Sequence, residues 1–255
     1  MKFVSMMAAA VLAMVLAVPA QAKGKTFKDR DWSVSVYDNC GLPVSSGPNK
    51  SVSWAKIGGD KKLRFVLRPG EVGKCSTDNK ARHRAPFWER AEVHQKGVLK
   101  LGQAHRVEVE FTVLAGFKGD RETFFQIHGW NGNCHAYPSM MIMFDKGSLH
   151  VWALRGVDPN SSKGTGQLRS VQKRNVSVGS LTGKANRLTI DFDARTAPGR
   201  LSVSLNGAPF VVNAPIEFAS CAKPHVKMGI YRPGGKGSGT SEVLFDDLTV
   251  TRISP

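Results

Sequence analysis

Pro224-His225-Val226-Lys227-Met228-Gly229-Ile230-Tyr231-Arg232 is the stretch from which the rest of the chain can be read. Side chains alternate across an extended strand, so Lys227, Gly229 and Tyr231 share one face while Met228 and Ile230 turn to a core. An amine, a gap and a phenol above an apolar pair is chemistry carried on a scaffold strand. Two earlier segments repeat the pattern: Arg90 and Glu92 flank an inward Ala91, and Gln126 and His128 flank an inward Ile127. Similar alternation predicts strands over 62–68, 88–94, 105–113, 123–128, 140–144, 148–154, 187–192, 201–205, 210–212, 226–231 and 242–252. Asn206-Gly207 between two of them is a two-residue hairpin signal, since both residues tolerate positive φ.

Many short strands with Gly and Asn turns, and no helical period after the first residues, predict an all-β jelly-roll sandwich, concanavalin A-like, with a concave substrate groove on one sheet. Lys2, the apolar run up to Val18 and the small-residue pattern Pro19-Ala20-Gln21-Ala22 read as a signal peptide over residues 1–22. That run falls short of the roughly 20 residues a spanning helix needs. Residues 23–255 are then expected to form one domain, periplasmic or secreted, monomeric and free of the membrane after cleavage. Export makes disulfides the default state of Cys40, Cys75, Cys134 and Cys221. Of three connectivities, Cys40–Cys75 with Cys134–Cys221 is favoured, because the second bridge ties the loop after His128 to the approach to Lys227. A net charge of +16 favours a polyanionic partner. The basic residues are scattered, with no recognition helix and no RNA-binding signature, so nucleic acid is not expected.

Glu89-Arg90-Ala91-Glu92-Val93, Gln126-Ile127-His128-Gly129 and Lys227-Met228-Gly229-Ile230-Tyr231-Arg232 resemble, in order and spacing, three motif strands of the jelly-roll polysaccharide lyases, a group that includes alginate lyases, glucuronan lyases and heparin lyase I-like enzymes. The resemblance runs from about Phe87 to the C-terminus. Lys-x-Gly-Ile-Tyr-Arg looks most like the heparin lyase I branch, while Arg-Ala-Glu-Val departs from the Arg-Ser/Thr-Glu-Leu form of alginate lyases. The resemblance implies β-elimination at a uronic acid in an anionic polysaccharide such as glucuronan, alginate or a glycosaminoglycan-like polymer, leaving a 4,5-unsaturated end. In that reaction Arg90, Gln126 and Lys227 would neutralise the C6 carboxylate, and His128 and Tyr231 would divide the base and acid roles, in an order left open. Glu92 is read as orienting Arg90 beside the substrate.

Further substrate contacts are expected from Arg82 and Arg84 in the basic run before the first motif, and from Trp130, Asn131, His135 and Tyr137 after His128. Trp152, Arg155 and Arg232 complete the set. His128, Cys134 and His135 lack a standard zinc spacing, so no catalytic metal is expected. No cofactor is required; Asp246-Asp247 offers oxygen ligands to a structural calcium ion. The alternatives are a non-catalytic glycan-binding sandwich and a glycoside hydrolase, the latter opposed by the lack of an evident carboxylate partner for Glu92.

Overall fold

A computed structural model describes residues 50–254 except 74, 83, 84, 96, 173, 237 and 238, and only the backbone of three short strands before them. These three are β1 (Lys25–Thr26), β2 (Ser33–Val36) and β3 (Asn39–Leu42). The signal-peptide expectation over residues 1–22 lies outside the described part. Next come β4 (Val52–Ile57), β5 (Asp60–Leu67), β6 (Trp88–Gln95), β7 (Ala104–Ala115), β8 (Glu122–His128), β9 (Pro138–Asp145), β10 (Ser148–Arg155) and β11 (Gln167–Ser170). The chain continues with β12 (Asn186–Asp193), β13 (Gly199–Leu205), β14 (Ala208–Ile216), β15 (His225–Pro233) and β16 (Ser241–Ile253).

The strands build two eight-stranded antiparallel sheets, a jelly-roll sandwich. Sheet A runs β14-β13-β12-β7-β16-β5-β4 with β1 on β16, and sheet B runs β11-β10-β9-β8-β15-β6-β2-β3. The three motif segments are thus the adjacent strands β8, β15 and β6. All eleven alternating segments are strands, and Asn206 (φ 51°) and Gly207 (φ 76°) make the expected turn between β13 and β14. The alternation does not reveal β1, β2, β3, β4 or β11. β4 lies at a sheet edge with its second half open to water, and β11 is a four-residue edge with no buried side chain.

The two sheets differ in their outer faces. In β7, Val107, Val109, Phe111 and Val113 enter the core while Arg106, Glu108 and Glu110 face outward. There they form water-facing cross-strand pairs such as Arg106–Asp191 and Lys62–Glu110. Every residue of β15 is buried, on both faces. Its inward side, with Val226, Met228 and Ile230, joins Ala91, Ile127 and a group of phenylalanines in the interior. Among these, Phe124 stacks on Phe144 and Phe65 meets Phe245 edge-on. Its outward side buries polar groups, which is costly unless they find partners.

Candidate active site

On the outer face of sheet B, strand register sets Arg90 opposite Tyr231, Glu92 opposite Gly229, and His94 opposite Lys227. On the other side of β15, Lys227 faces Gln126 and His225 faces His128. Glu92 is the hub. Its carboxylate accepts from Arg90 Nη1 (2.5 Å) and Gln126 Nε2 (2.6 Å), and pairs with Lys227 Nζ at 3.0 Å. Arg90 is held from its other edge by Asp78, Nε to Oδ2 at 2.8 Å and Nη2 to Oδ1 at 2.7 Å. Burial pushes the Glu92 carboxyl up, but Lys227, Arg90 and Gln126 together hold it below the ordinary range. Burial also lowers the Lys227 ammonium, against the pull of Glu92.

Tyr231 lies across this network. Its ring stacks on Trp88 (4.8 Å between centroids, 20° between planes), and the Arg90 guanidinium sits 4.0 Å from its centroid. Arg82 Nη2 donates to its hydroxyl oxygen. Burial drives the phenol up to about 12, against the nearby Arg90 and Arg82 charges. His128 is half-buried, and burial, then Lys227, His225, Arg90 and His94, hold it well below the usual imidazole value. The backbone N–H of Trp130 donates to His128 Nδ1 at 3.0 Å, so the neutral ring carries its proton on Nε2. His225 stacks on His128 at 5.5 Å and turns its Nδ1–H to the Lys223 carbonyl.

Gly229 is the gap that lets β15 approach β6. At φ +132° it occupies a backbone region L side chains rarely adopt, and a Cβ there would lie 2.2 Å from the Ala91 oxygen, 2.7 Å from Glu92 Cα and 2.9 Å from Phe65 Cδ1. Gly229→Ala is therefore expected to cost about 2–3 kcal/mol, read as a shift in the urea midpoint. A loss below about 1 kcal/mol would mean the strands can part without strain.

Several sequence expectations need correction. Arg232 shares the parity of Met228 and Ile230, so it points between the sheets and not to the substrate face. It is fully buried, bonded to Glu89, to Glu122 Oε1 (2.8 Å) and to Ser241 Oγ (2.9 Å). Glu92, wholly buried under its three partners, orients Arg90, Lys227 and Gln126 and is not itself open to a substrate. Arg90 has each of its three nitrogens on a carboxylate, so Asp78 and Glu92 already share its charge. Arg155, at the end of β10, has the parity of the inward Val151 and Ala153, whereas Trp152 has the outward parity. Asn131 is structural: its Nδ2 donates to the Cys221 carbonyl at 2.9 Å. Asp246 is paired with Lys62 Nζ at 3.0 Å. Among the described residues no three His, Cys, Asp or Glu side chains are gathered to hold a metal ion.

Trp130, His135 and Tyr137 are exposed on the loop after β8. Cys134–Cys221 bridges that loop to the approach to β15 as expected. Cys75 is also disulfide-bonded, whereas the Cys40 side chain and Arg84 lie outside the described residues. Sequence reasoning missed Asp78, Trp88, His94 and His225. The period-2 parity of β6 would have found Trp88 and His94. Asp78 comes from an irregular stretch, admitted because Gly73 leaves room: a Cβ there would lie 2.0 Å from Asp78 Oδ2.

The sequence model of a family described as polysaccharide lyase matches residues 31–249. No curated protein sequence matches the chain. Among solved structures, alginate lyase A1-II′, a member of polysaccharide lyase family 7, is similar with a TM-score of 0.59 at 14% identity, over 88% of this chain and 96% of that one. Alginate lyase PA1167 from Pseudomonas aeruginosa gives a TM-score of 0.56 at 15% identity, over 89% of this chain and all of that one. Alginate lyase AlgAT5 from polysaccharide lyase family 7 gives 0.56 at 12% identity, over 88% and 95%. At these identities the likeness is one of fold.

Proposed function

The chain belongs to the polysaccharide lyase family, and we propose that it is an exported enzyme that opens a uronate-containing anionic polysaccharide by β-elimination, with Tyr231 moving the proton. The observation that carries this reading is the tautomer of His128. With Nδ1 accepting from Trp130 N–H, its other nitrogen, Nε2, is already protonated and is a hydrogen-bond donor instead of a proton acceptor. That leaves Tyr231 as the residue able to do both transfers. The Tyr231 phenolate takes the C5 proton, the C4–C5 double bond forms as the C4–O4 bond breaks, and the phenol returns its proton to O4. His128 Nε2–H and the Lys227 ammonium supply donors for charge developing on the uronate. A net charge of +16 draws the polyanion in. The alginate lyases of similar fold act on a polymer of this class.

One residue serving as base and then acid works best when C5–H and O4 lie on the same face of the ring, as in glucuronate and mannuronate. Purified protein incubated with alginate, glucuronan and glycosaminoglycans is expected to release products absorbing in the ultraviolet from the unsaturated uronate. New reducing ends without that absorbance would overturn the reading.

The pH profile follows from Tyr231. Its phenol is raised to about 12, so it is protonated at neutral pH and the reactive phenolate is scarce. Turnover is expected to rise about tenfold per pH unit from neutrality, until Lys227, whose ammonium burial lowers, begins to lose its proton. A profile flat between neutral and mildly alkaline pH would assign the base elsewhere.

A further inference from the structure

Elimination beside a carboxylate needs a cation at C6, and the arginine of the motif strand is already committed to Asp78 and Glu92. Building on the uronate reading above, we propose that Arg82 is the catalytic guanidinium: it grips the C6 carboxylate through the terminal N–H groups not given to Tyr231, while Nη2 holds the Tyr231 oxygen. Arg82 stands at the rim of the site, its side chain 35% exposed where that of Arg90 is 7% exposed. Its guanidinium lies over the Trp88 ring, 4.7 Å from the centroid, which fixes the plane of the fork. Asp78 Oδ1 is 3.9 Å away, beyond hydrogen-bond length, so that carboxylate does not saturate it.

A cation at the rim, with Asp78 beyond hydrogen-bond reach, can take an incoming carboxylate in a charge-assisted pair. The geometry also matches the chemistry, because C5 is bonded to C6. The group that binds the carboxylate must therefore stand beside the base, and Arg82 is already bonded to the Tyr231 oxygen. Lys227, the other outward cation, shares its charge with Glu92 at 3.0 Å.

The test compares Arg82→Gln and Arg82→Lys with wild type on a uronate polymer that wild type cleaves and on the methyl ester of that polymer, whose C6 is uncharged. Arg82→Gln is expected to lower kcat/KM on the free acid about 10²–10³-fold, with a loss at least about tenfold smaller on the ester, where no carboxylate charge needs the guanidinium. Arg82→Lys, which keeps the charge but not the fork, is expected to fall between. Equal losses on acid and ester would mean that Arg82 only places Tyr231, and activity within about threefold of wild type on the acid would remove it from the reaction; either overturns the proposal. Thermal midpoints of both variants separate a folding defect, which lowers both substrates alike, from the selective loss. Absence of unsaturated product from wild type on every uronate polymer would instead sink the functional reading, before any variant is made.

Discussion

Tyr231→Phe is expected to lower turnover about 10²–10⁴-fold with the thermal midpoint moved by no more than about 2 °C. The two effects separate because the ring and the hydroxyl do different work. A phenyl ring keeps the stack on Trp88 and the contact with the Arg90 guanidinium, which account for the placement of this side chain between β6 and β15. Only the hydroxyl is lost, and its partner Arg82 stands at the rim where water can replace it. Product formation is followed by ultraviolet absorbance and stability by thermal melting of the same preparation. Turnover near that of wild type would move the proton transfer to another group, and a large fall in midpoint would make Tyr231 structural.

Glu92→Ala is expected to destabilise the fold by about 3–5 kcal/mol, because it strands the buried Lys227 cation and the Gln126 amide and takes the acceptor from Arg90 Nη1. Arg90 would keep Asp78, but Lys227 and Gln126 would lose the acceptor that holds them. For a chain of this size each kcal/mol moves the midpoint by about 2–4 °C, so a fall on the order of 10 °C is expected. Turnover should fall with it, since these side chains are placed through Glu92. Glu108→Ala is the control: its pair with Arg187, 3.2 Å apart on the water-facing side of sheet A, should be worth less than about 1 kcal/mol. Equal effects at the two positions would remove the distinction drawn between the outer faces of the sheets.

What the sequence disclosed was what strand periodicity can carry. Ala91, Ile127, Met228 and Ile230 enter the interior as their alternation requires, and the three motif segments are neighbours. Periodicity says which way a side chain points, but not what it meets there. Arg90 was legible as outward, yet its capture by Asp78 depends on an irregular segment that no local pattern positions. Arg232 was inward by its own parity; what hid this was its charge, which makes sense inside only once Glu89 and Glu122 are seen to converge on it from β6 and β8. The proton position on His128 hinges on one backbone N–H two residues along, a turn detail below the reach of pattern reading.

The Arg232 cluster has a consequence for how the sandwich finds its alignment. Slipping β15 by one residue against its neighbours would turn its apolar residues outward, but a slip of two preserves the alternation and would leave hydrophobicity almost indifferent. Such a slip would carry the guanidinium past Glu89 and Glu122 and past Ser241, which reaches it from the opposite sheet, leaving buried ions unmatched at a cost of several kcal/mol. The cluster thus serves as an indexing pin, allowing one threading of the strand among those that oil alone would tolerate.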